Sequence, residues 1–442
     1  MVRRHRRNDE RPRIVATGAV VLAAALAWIV GFRAFLGDPT RWESMGIYVL
    51  TTGVLIAILG STVAPRRFVH LPPADGRVVA IVPSYNEAPE ALYATVRALL
   101  DSSRAPDEIV VVDDGSDVPV RLGYHPRLRV IRQQNAGKRE AQARVLYELR
   151  YWRDLGYPRA DFVLTVDSDS VVDRHAIRHL LRAMSDPRVQ AATGLPMLRN
   201  RTRNLLTRLL DLEMVSACLT QRAARSRMGV VAPCSGALTL YRADLVLDNL
   251  DDYVTSGTVG DDRRLTHYAL QRGQTVAVDE AHVYTDMPTT IRGAYRQRTR
   301  WYRSYWIYAL WEISHLRGLP VAWRIYAMVM SVLNPIALIW LVVGTPLTGR
   351  PFPWEGALYW LGLTYVIGFR YAMRRPGVPA HARFATWLLG TPLLLLLQYG
   401  VIRPAMWHAA LTATRTGWVT RGPATPPPSP TPGRARHLTS VH

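Results

Sequence analysis

The sequence predicts an α/β domain with a mostly parallel sheet, set between segments long and apolar enough to cross a membrane. Three observations carry this expectation. Between residues 78 and 318, short apolar runs end in polar loops: "RVVAIVPSYNE", "EIVVVDDGSD", "FVLTVDSDS" and "VQAATGLPM". Helix-patterned stretches such as "PEALYATVRALLDS" and "REAQARVLYELRYW" separate them, and continuous apolar strands alternating with helices imply parallel strands buried on both faces. Long apolar runs flank this region, with arginines crowded at their edges.

Taken in order, residues 1–13 form a basic N-terminus, "MVRRHRRNDERPR", expected on the cytosolic side. Residues 14–65 hold two apolar runs, 14–32 and 45–64, the first without a charge. Each is close to the ~20 residues a spanning helix needs. A cleaved signal peptide competes for the first run. Its only candidate site, "ALA", lies inside that run and a second run follows, so two retained helices are expected. Residues 66–290 form the cytosolic α/β domain and 291–318 an interfacial amphipathic helix. Residues 319–414 carry three further apolar runs, at 325–347, 354–371 and 384–402, expected as transmembrane and interface helices. The proline-rich stretch 423–442 is expected to be a disordered tail.

The 442 residues are 49% hydrophobic and carry a net charge of +21, a balance that suits a cytosolic domain combined with membrane helices. Placement of the arginines beside apolar runs, as in "PRRF", argues for lipid rather than nucleic acid as the partner of that charge. Two unpatterned cysteines, Cys218 and Cys234, are too few for a disulfide framework or a zinc site.

The acids sit where chemistry is expected, since ligands of such sheets bind beyond the carboxyl ends of strands. In "TVDSDS" Asp167 and Asp169 are alternate residues of an extended segment. Both carboxylates can then face one hard cation, Mg²⁺ or Mn²⁺, that in turn holds a diphosphate. An isolated pair of this kind is equally an ordinary strand-end turn. Tyr85, Glu87, Asp113 and Lys138 lie on three further loops in strand order. They form a pocket with a ring for stacking a base, polar edges and a positive charge. In "GTVGDDRRLTHYAL" the acids Asp261 and Asp262 precede a helix, where a carboxylate serves either as a general base or as a favourable N-terminal charge. In "QRTRW" the residues Gln297, Arg300 and Trp301 share one helical face, while Tyr302, Tyr305, Trp306, Ala309, Leu310 and Ile313 form a second stripe expected to meet the bilayer.

"PSYNE", "DDGS", "NAGKR", "DSDS", "CSGAL", "GDDRRLT" and "QRTRW", in this order, resemble the processive family 2 glycosyltransferases. "NAGKREAQ", "GDDRRLTHYA", "YTDMP" and "GWVTRG" are most similar to those of hyaluronan synthases and the rhizobial chito-oligosaccharide synthases. The resemblance covers residues 78–422 and implies a GT-A-type catalytic domain embedded between transmembrane helices. It implies that Tyr85, Glu87, Asp113 and Lys138 hold the uridine end of a UDP-sugar, that Asp167 and Asp169 hold its diphosphate and metal, and that Asp262 is the general base. Arg300 would meet the diphosphate. Gln297 and Trp301 would receive the acceptor sugar together with Cys234, Ser235 and Gly236. Trp418, Thr420 and Arg421 match a gating loop at 415–422 that closes over bound nucleotide. Two positions depart from the pattern: Val419 stands where the gating loop usually has glycine, and Ala237 where hyaluronan synthases commonly have proline.

The expected activity is a processive, inverting polymerase that extends a β-linked amino-sugar polysaccharide from UDP-sugars and exports it through its own helices, with UDP-GlcNAc and UDP-GlcA as donors. The alternatives are a chitin-like synthase using one UDP-sugar and a non-processive transferase acting on a lipid acceptor. If all three late runs spanned, "GWVTRG" would lie outside the cell, away from UDP. Pro392 and Pro404 interrupt the last run, so 384–414 is expected to turn back or lie partly in the interface.

Overall fold

The computed structural model describes residues 68–256, 260–339, 343–349 and 354–413. The basic N-terminus, the two expected membrane helices at 14–65, the loop 415–422 with Trp418, Thr420 and Arg421, and the tail 423–442 lie outside the described residues.

The strands are β1 Val78–Ser84, β2 Glu108–Asp113, β3 Leu128–Arg132, β4 Phe162–Thr165, β5 Val171–Val172, β6 Val189–Leu198, β7 Thr239–Arg242 and β8 Gln274–Thr285. They form one sheet in the order β3-β2-β1-β4-β7-β6-β8-β5. Every residue of β1 is buried, as expected of a central strand covered on both faces. Val78, Ala80 and Val82 pack on one side with helices α1 (Pro89–Leu100) and α3 (Ala176–Met184). Val79 and Ile81 pack on the other with α2 (Lys138–Asp154).

The sheet is parallel across β3-β2-β1-β4, where Ser84 pairs with Asp113 and Asp113 with Arg132. That register ends the strands level, so the acid-bearing loops leave from one edge. β6 and β8 are parallel as well, so the expectation of a mostly parallel sheet holds except at β5 and β7. β7 runs antiparallel to both β4 and β6. Helical segments Leu205–Ala217 and Ala223–Met228 separate it from β6, and the chain re-enters through the "PCSGA" loop at the carboxyl edge, so β7 runs back down. A four-residue apolar run does not reveal its direction, or even its type, by periodicity.

Beyond the sheet lie α4 (Leu205–Ala217), α5 (Asp261–Arg272), α6 (Ile291–Ile307), α7 (Ala309–His315), α8 (Leu319–Ile339), α9 (Trp354–Arg374), α10 (Ala380–Leu397) and α11 (Arg403–Leu411). Leu195 and Met197 of β6, Leu210 and Leu212 of α4, Tyr371 of α9 and Leu394 of α10 share one apolar cluster. Inside it the fully buried Asp211 accepts from Tyr371 Oη at 2.8 Å and from Arg375 at 2.9 Å. The sheet is thereby fastened to the late helices.

Among the described residues one helix, Ala380–Leu411, is long and apolar enough to cross a membrane. The helical chain runs on through Pro392 and Pro404 without reversing at either proline. Pro392 cannot donate to the Leu388 carbonyl, and Tyr365 Oη donates to that oxygen instead, at 2.8 Å. A π-helical turn, Gln398–Ile402, absorbs the second proline, which then stands in the first turn of α11.

Candidate active site

Four loops at the carboxyl edge interlock through polar side chains. The Asn86 backbone N–H donates to Ser116 Oγ at 3.0 Å, and the Asp117 N–H donates to Asn86 Oδ1 at 2.9 Å. Asp114 accepts from the Ala136 and Gly137 N–H groups at 3.0 and 2.7 Å, which folds the "NAGK" loop over the end of β2. Ser168 Oγ donates to Glu87 at 2.7 Å, joining the first loop to the "DSDS" loop. Half-buried Tyr85 stands at the start of this ring of contacts.

Asp113 is 1% exposed and accepts from the Ser116 and Val120 N–H groups and from Arg132. Its lone pairs shape the loop, so a base edge reaching it meets a carboxylate already held in place. Lys138, expected to face a donor's negative charge, lies 2.7 Å from Asp167 and 2.9 Å from Asp261. Burial works to lower its pKa, but Asp167 and Asp261 hold it well above the usual lysine range. One ammonium thus links the "DSDS" loop to the start of α5. Gly236 sits against this bridge: a Cβ there would stand 3.3 Å from both Asp167 Oδ2 and Lys138 Nζ.

Ser235 donates its N–H to Thr193 Oγ1 at 2.9 Å and accepts from Thr239 Oγ1 at 2.6 Å. Cys234 is fully buried in the core, and burial pushes its thiol up to about 12. Its backbone N–H donates to Thr266 Oγ1 of α5 at 2.9 Å, which ties this loop to the helix that begins with Asp261 and Asp262.

Asp261 and Asp262 open α5, and Gly260 before them adopts φ +92°. A Cβ on Gly260 would lie 2.6 Å from Ser304 Cβ on α6. No L-residue fits this backbone without strain, and the missing side chain lets α5 begin in contact with α6. Ser304 continues the face carrying Gln297, Arg300 and Trp301, so α5 begins beside that helix. Gly260→Ala is expected to lower the melting temperature by several degrees and UDP release more than tenfold, while nucleotide affinity measured by calorimetry stays near wild type.

The two acids titrate apart. Burial pushes the half-buried Asp262 carboxyl up to about 6, with the neighbouring negative charge of Asp261 adding to the effect. Asp261, though burial favours its neutral form, is held below the usual range by Lys138. Sequence reasoning treated the pair as equivalent neighbours and singled out Asp262 from the motif. The Lys138 bridge supplies the physical distinction.

On α6, Gln297 Oε1 is buried with no partner among the described residues, Arg300 is exposed and Trp301 is 37% exposed beneath the Arg298 guanidinium. The second stripe is not one face. The helix breaks at Tyr308, Trp306 Nε1 donates to the Met406 carbonyl of α11 at 3.0 Å, and Tyr305 lies 3.7 Å under Arg324 of α8. Tyr305 and Trp306 therefore meet neighbouring helices with part of their surface, while Leu310 remains 78% exposed. Periodicity within one helix could not show which other helices cover it.

Among the described residues no group of three or more His, Cys, Asp or Glu side chains is arranged to hold a metal ion. Asp167 and Asp169 are nevertheless compatible with Mg²⁺, which commonly binds through one or two carboxylates and completes its shell with phosphate oxygens and water.

The carboxyl edge of the sheet, the acids that open α5 and the Gln297, Arg300 and Trp301 face of α6 lie within the part of the chain that a family model matches. Residues 73–304 match the model described as "Glycosyltransferase like family 2". The chain belongs to that family, and the enzyme class expected from its sequence, a UDP-sugar-dependent hexosyltransferase, stands. It is 30% identical over 413 residues to the hyaluronan synthase of Streptococcus pyogenes, covering 86% of this chain and 91% of that one. It is 32% identical over 438 residues to an N-acetylglucosaminyltransferase of Sinorhizobium fredii, covering 93% and 96%. Among solved structures, a mannosyltransferase of Pyrobaculum calidifontis in complex with GDP-mannose and Mn²⁺ is similar with a TM-score of 0.49 and 18% identity, over 92% of this chain and 99% of that one.

Proposed function

We propose that this enzyme is a membrane-embedded, processive, inverting polymerase that builds a β-linked amino-sugar polysaccharide, hyaluronan, from UDP-GlcNAc and UDP-GlcA and exports it. The observation that carries the reading is Asp262, its carboxyl pushed up to about 6, in the first turn of a helix that begins at Gly260 in contact with Ser304 of α6. The acceptor hydroxyl attacks the anomeric carbon of the donor, its proton passes to Asp262, and the bond to UDP breaks on the opposite face. A single displacement inverts the centre and needs one base, where a retaining mechanism requires a second carboxylate as nucleophile.

Tyr85, Glu87, Asp113 and Lys138 receive the uridine end. Arg300 neutralises charge developing on the diphosphate, and Arg421 of the gating loop at 415–422, with Trp418 and Thr420, closes over it. A divalent ion bound through Asp169 beside Asp167 would supply further charge neutralisation of the leaving diphosphate. Trp301 offers its indole to the apolar C–H face of an acceptor sugar, Gln297 hydrogen-bonds its rim, and Ser235 and Gly236 border its terminus.

Helix faces support the membrane assignment. Leu389 and Leu396, seven residues apart on α10, are each 70% exposed, and Ile325, Val329, Val332 and Ile336 of α8 form an exposed stripe. Apolar stripes of this extent fit lipid contact. In this reading the catalytic domain faces the cytosol of a multi-pass plasma-membrane protein.

The likeness to the Sinorhizobium fredii enzyme, which spans more of this chain, supports a second reading: a chito-oligosaccharide synthase using UDP-GlcNAc alone. Purified protein with Mg²⁺ and each UDP-sugar singly and in pairs decides between them. Hyaluronan synthesis requires both donors and gives a hyaluronidase-sensitive polymer. A chitinase-sensitive product from UDP-GlcNAc alone would establish the second reading instead.

A further inference from the structure

Glu312 belongs to none of the motifs above, yet it is the hub of a buried ionic cluster. It lies on α7 and is 3% exposed. Its Oε1 stands 2.9 Å from Arg263 and 2.8 Å from His267 Nε2, and its Oε2 is 3.0 Å from Arg324 Nε. Arg263 and His267 are one turn apart on α5, so one carboxylate grips two turns of the helix that begins with Asp261 and Asp262. Arg263 directly follows Asp262, and its backbone N–H donates to Asp262 Oδ1 at 2.8 Å.

The same cluster reaches the other half of the site. Arg324 of α8 lies over the Tyr305 ring and donates to the Tyr305 carbonyl on α6. Glu312 therefore ties together the helix bearing Asp262, the helix bearing Arg300 and Trp301, and the apolar helix α8. Burial works against its charge, but Arg263 leads the groups that hold its carboxyl down at about 2. His267 remains neutral, pushed down to about 4 chiefly by burial, and donates through Nε2. Buried ion clusters of this kind add little stability over well-packed apolar groups, but their fixed geometry can specify how elements align.

We propose that Glu312 is a positioning residue for glycosyl transfer, which sets Asp262 against the Gln297, Arg300 and Trp301 face and locks both to α8. The inference rests on Asp262 being the base. It separates two quantities: proton removal from the acceptor depends on where α5 begins, whereas the nucleotide is held by the strand-end loops, which Glu312 does not touch. A displacement of about 1 Å at a reacting group can cost ~100-fold in rate.

The test uses the purified full-length protein with UDP-sugar donors and Mg²⁺. Glu312→Gln keeps the side chain's size and its ability to accept hydrogen bonds. It is expected to lower kcat about 10- to 100-fold while the donor KM and the calorimetric Kd for UDP change less than threefold. Arg324→Met, which removes only the link to α8, is expected to show the same split in milder form, and decides the matter if Glu312→Gln does not fold. Wild-type kcat per folded molecule in the foldable variants would overturn the proposal. So would a loss of UDP affinity that matches the loss of rate, or the failure of both variants to bind UDP at all, since the cluster would then be structural. Asp262→Asn is run beside them. If it keeps full turnover, the base reading fails; if it is inactive while the Glu312 and Arg324 variants turn over normally, only the positioning role fails.

Discussion

Replacing Asp262 with asparagine is expected to lower UDP release and polymer formation by at least 1,000-fold, about 4 kcal/mol of lost transition-state stabilisation, while leaving UDP binding intact. The same substitution is expected to raise the melting temperature. Folding raises the pKa of this carboxyl from 3.8 to about 6, so the folded chain favours its protonated form. That contribution to stability is present below pH ~3.8 and lost as pH rises through about 6. At neutral pH the ionised group is thus a net cost, on the order of 1–3 kcal/mol, which asparagine removes. Gain of stability with loss of activity is the signature of a charge kept for chemistry. In the unaltered enzyme kcat is expected to fall about tenfold per pH unit below 6, because only ionised Asp262 can accept the acceptor's proton. Full rate at pH 4.5, or full turnover by the asparagine variant, would remove Asp262 from the role.

Arg300→Ala is expected to reduce kcat/KM for the donor 100- to 1,000-fold with the melting temperature unchanged within 1 or 2 degrees. The guanidinium is exposed on α6, so its removal opens no cavity in the core. Its predicted effect comes wholly from the charge it presents to a leaving diphosphate. Arg298, two residues earlier, gives the contrast. It is buried against Glu213 and over Trp301, so its loss would unfold or shift the helix before it reported on catalysis. Activity and thermal stability measured on both variants distinguish a ligand-facing arginine from a structural one.

The difference between those arginines marks the limit of one-dimensional reading. The strands β1, β2, β4 and β6 and helices α1 and α2 were legible because each shows an apolar run or a periodic pattern of sufficient length. The acids at strand ends were legible because polar loops in register can only emerge at the sheet's edge. Strands β5, β7 and β8 were missed, two of them too short to display a period and the third irregular. The break at Tyr308 and the covering of Tyr305 and Trp306 were missed because both depend on α8 and α11, distant in sequence.

By itself the sequence determined which chemistry is present: a strand-end cluster of acids, a lysine after a glycine turn, a glycine before a pair of aspartates, and an arginine and tryptophan on one helical face. Only the tertiary structure decided how that chemistry is divided. It placed Lys138 between Asp167 and Asp261, and so left Asp262 as the acid of the pair with its carboxyl pushed up to about 6. It also brought Glu312 to Arg263 and Arg324, joining the start of α5 to the apolar helices. The physical reason is that a carboxylate's proton affinity depends on burial and on charges within a few ångströms, and those neighbours come from elements that are remote along the chain and adjacent only after folding.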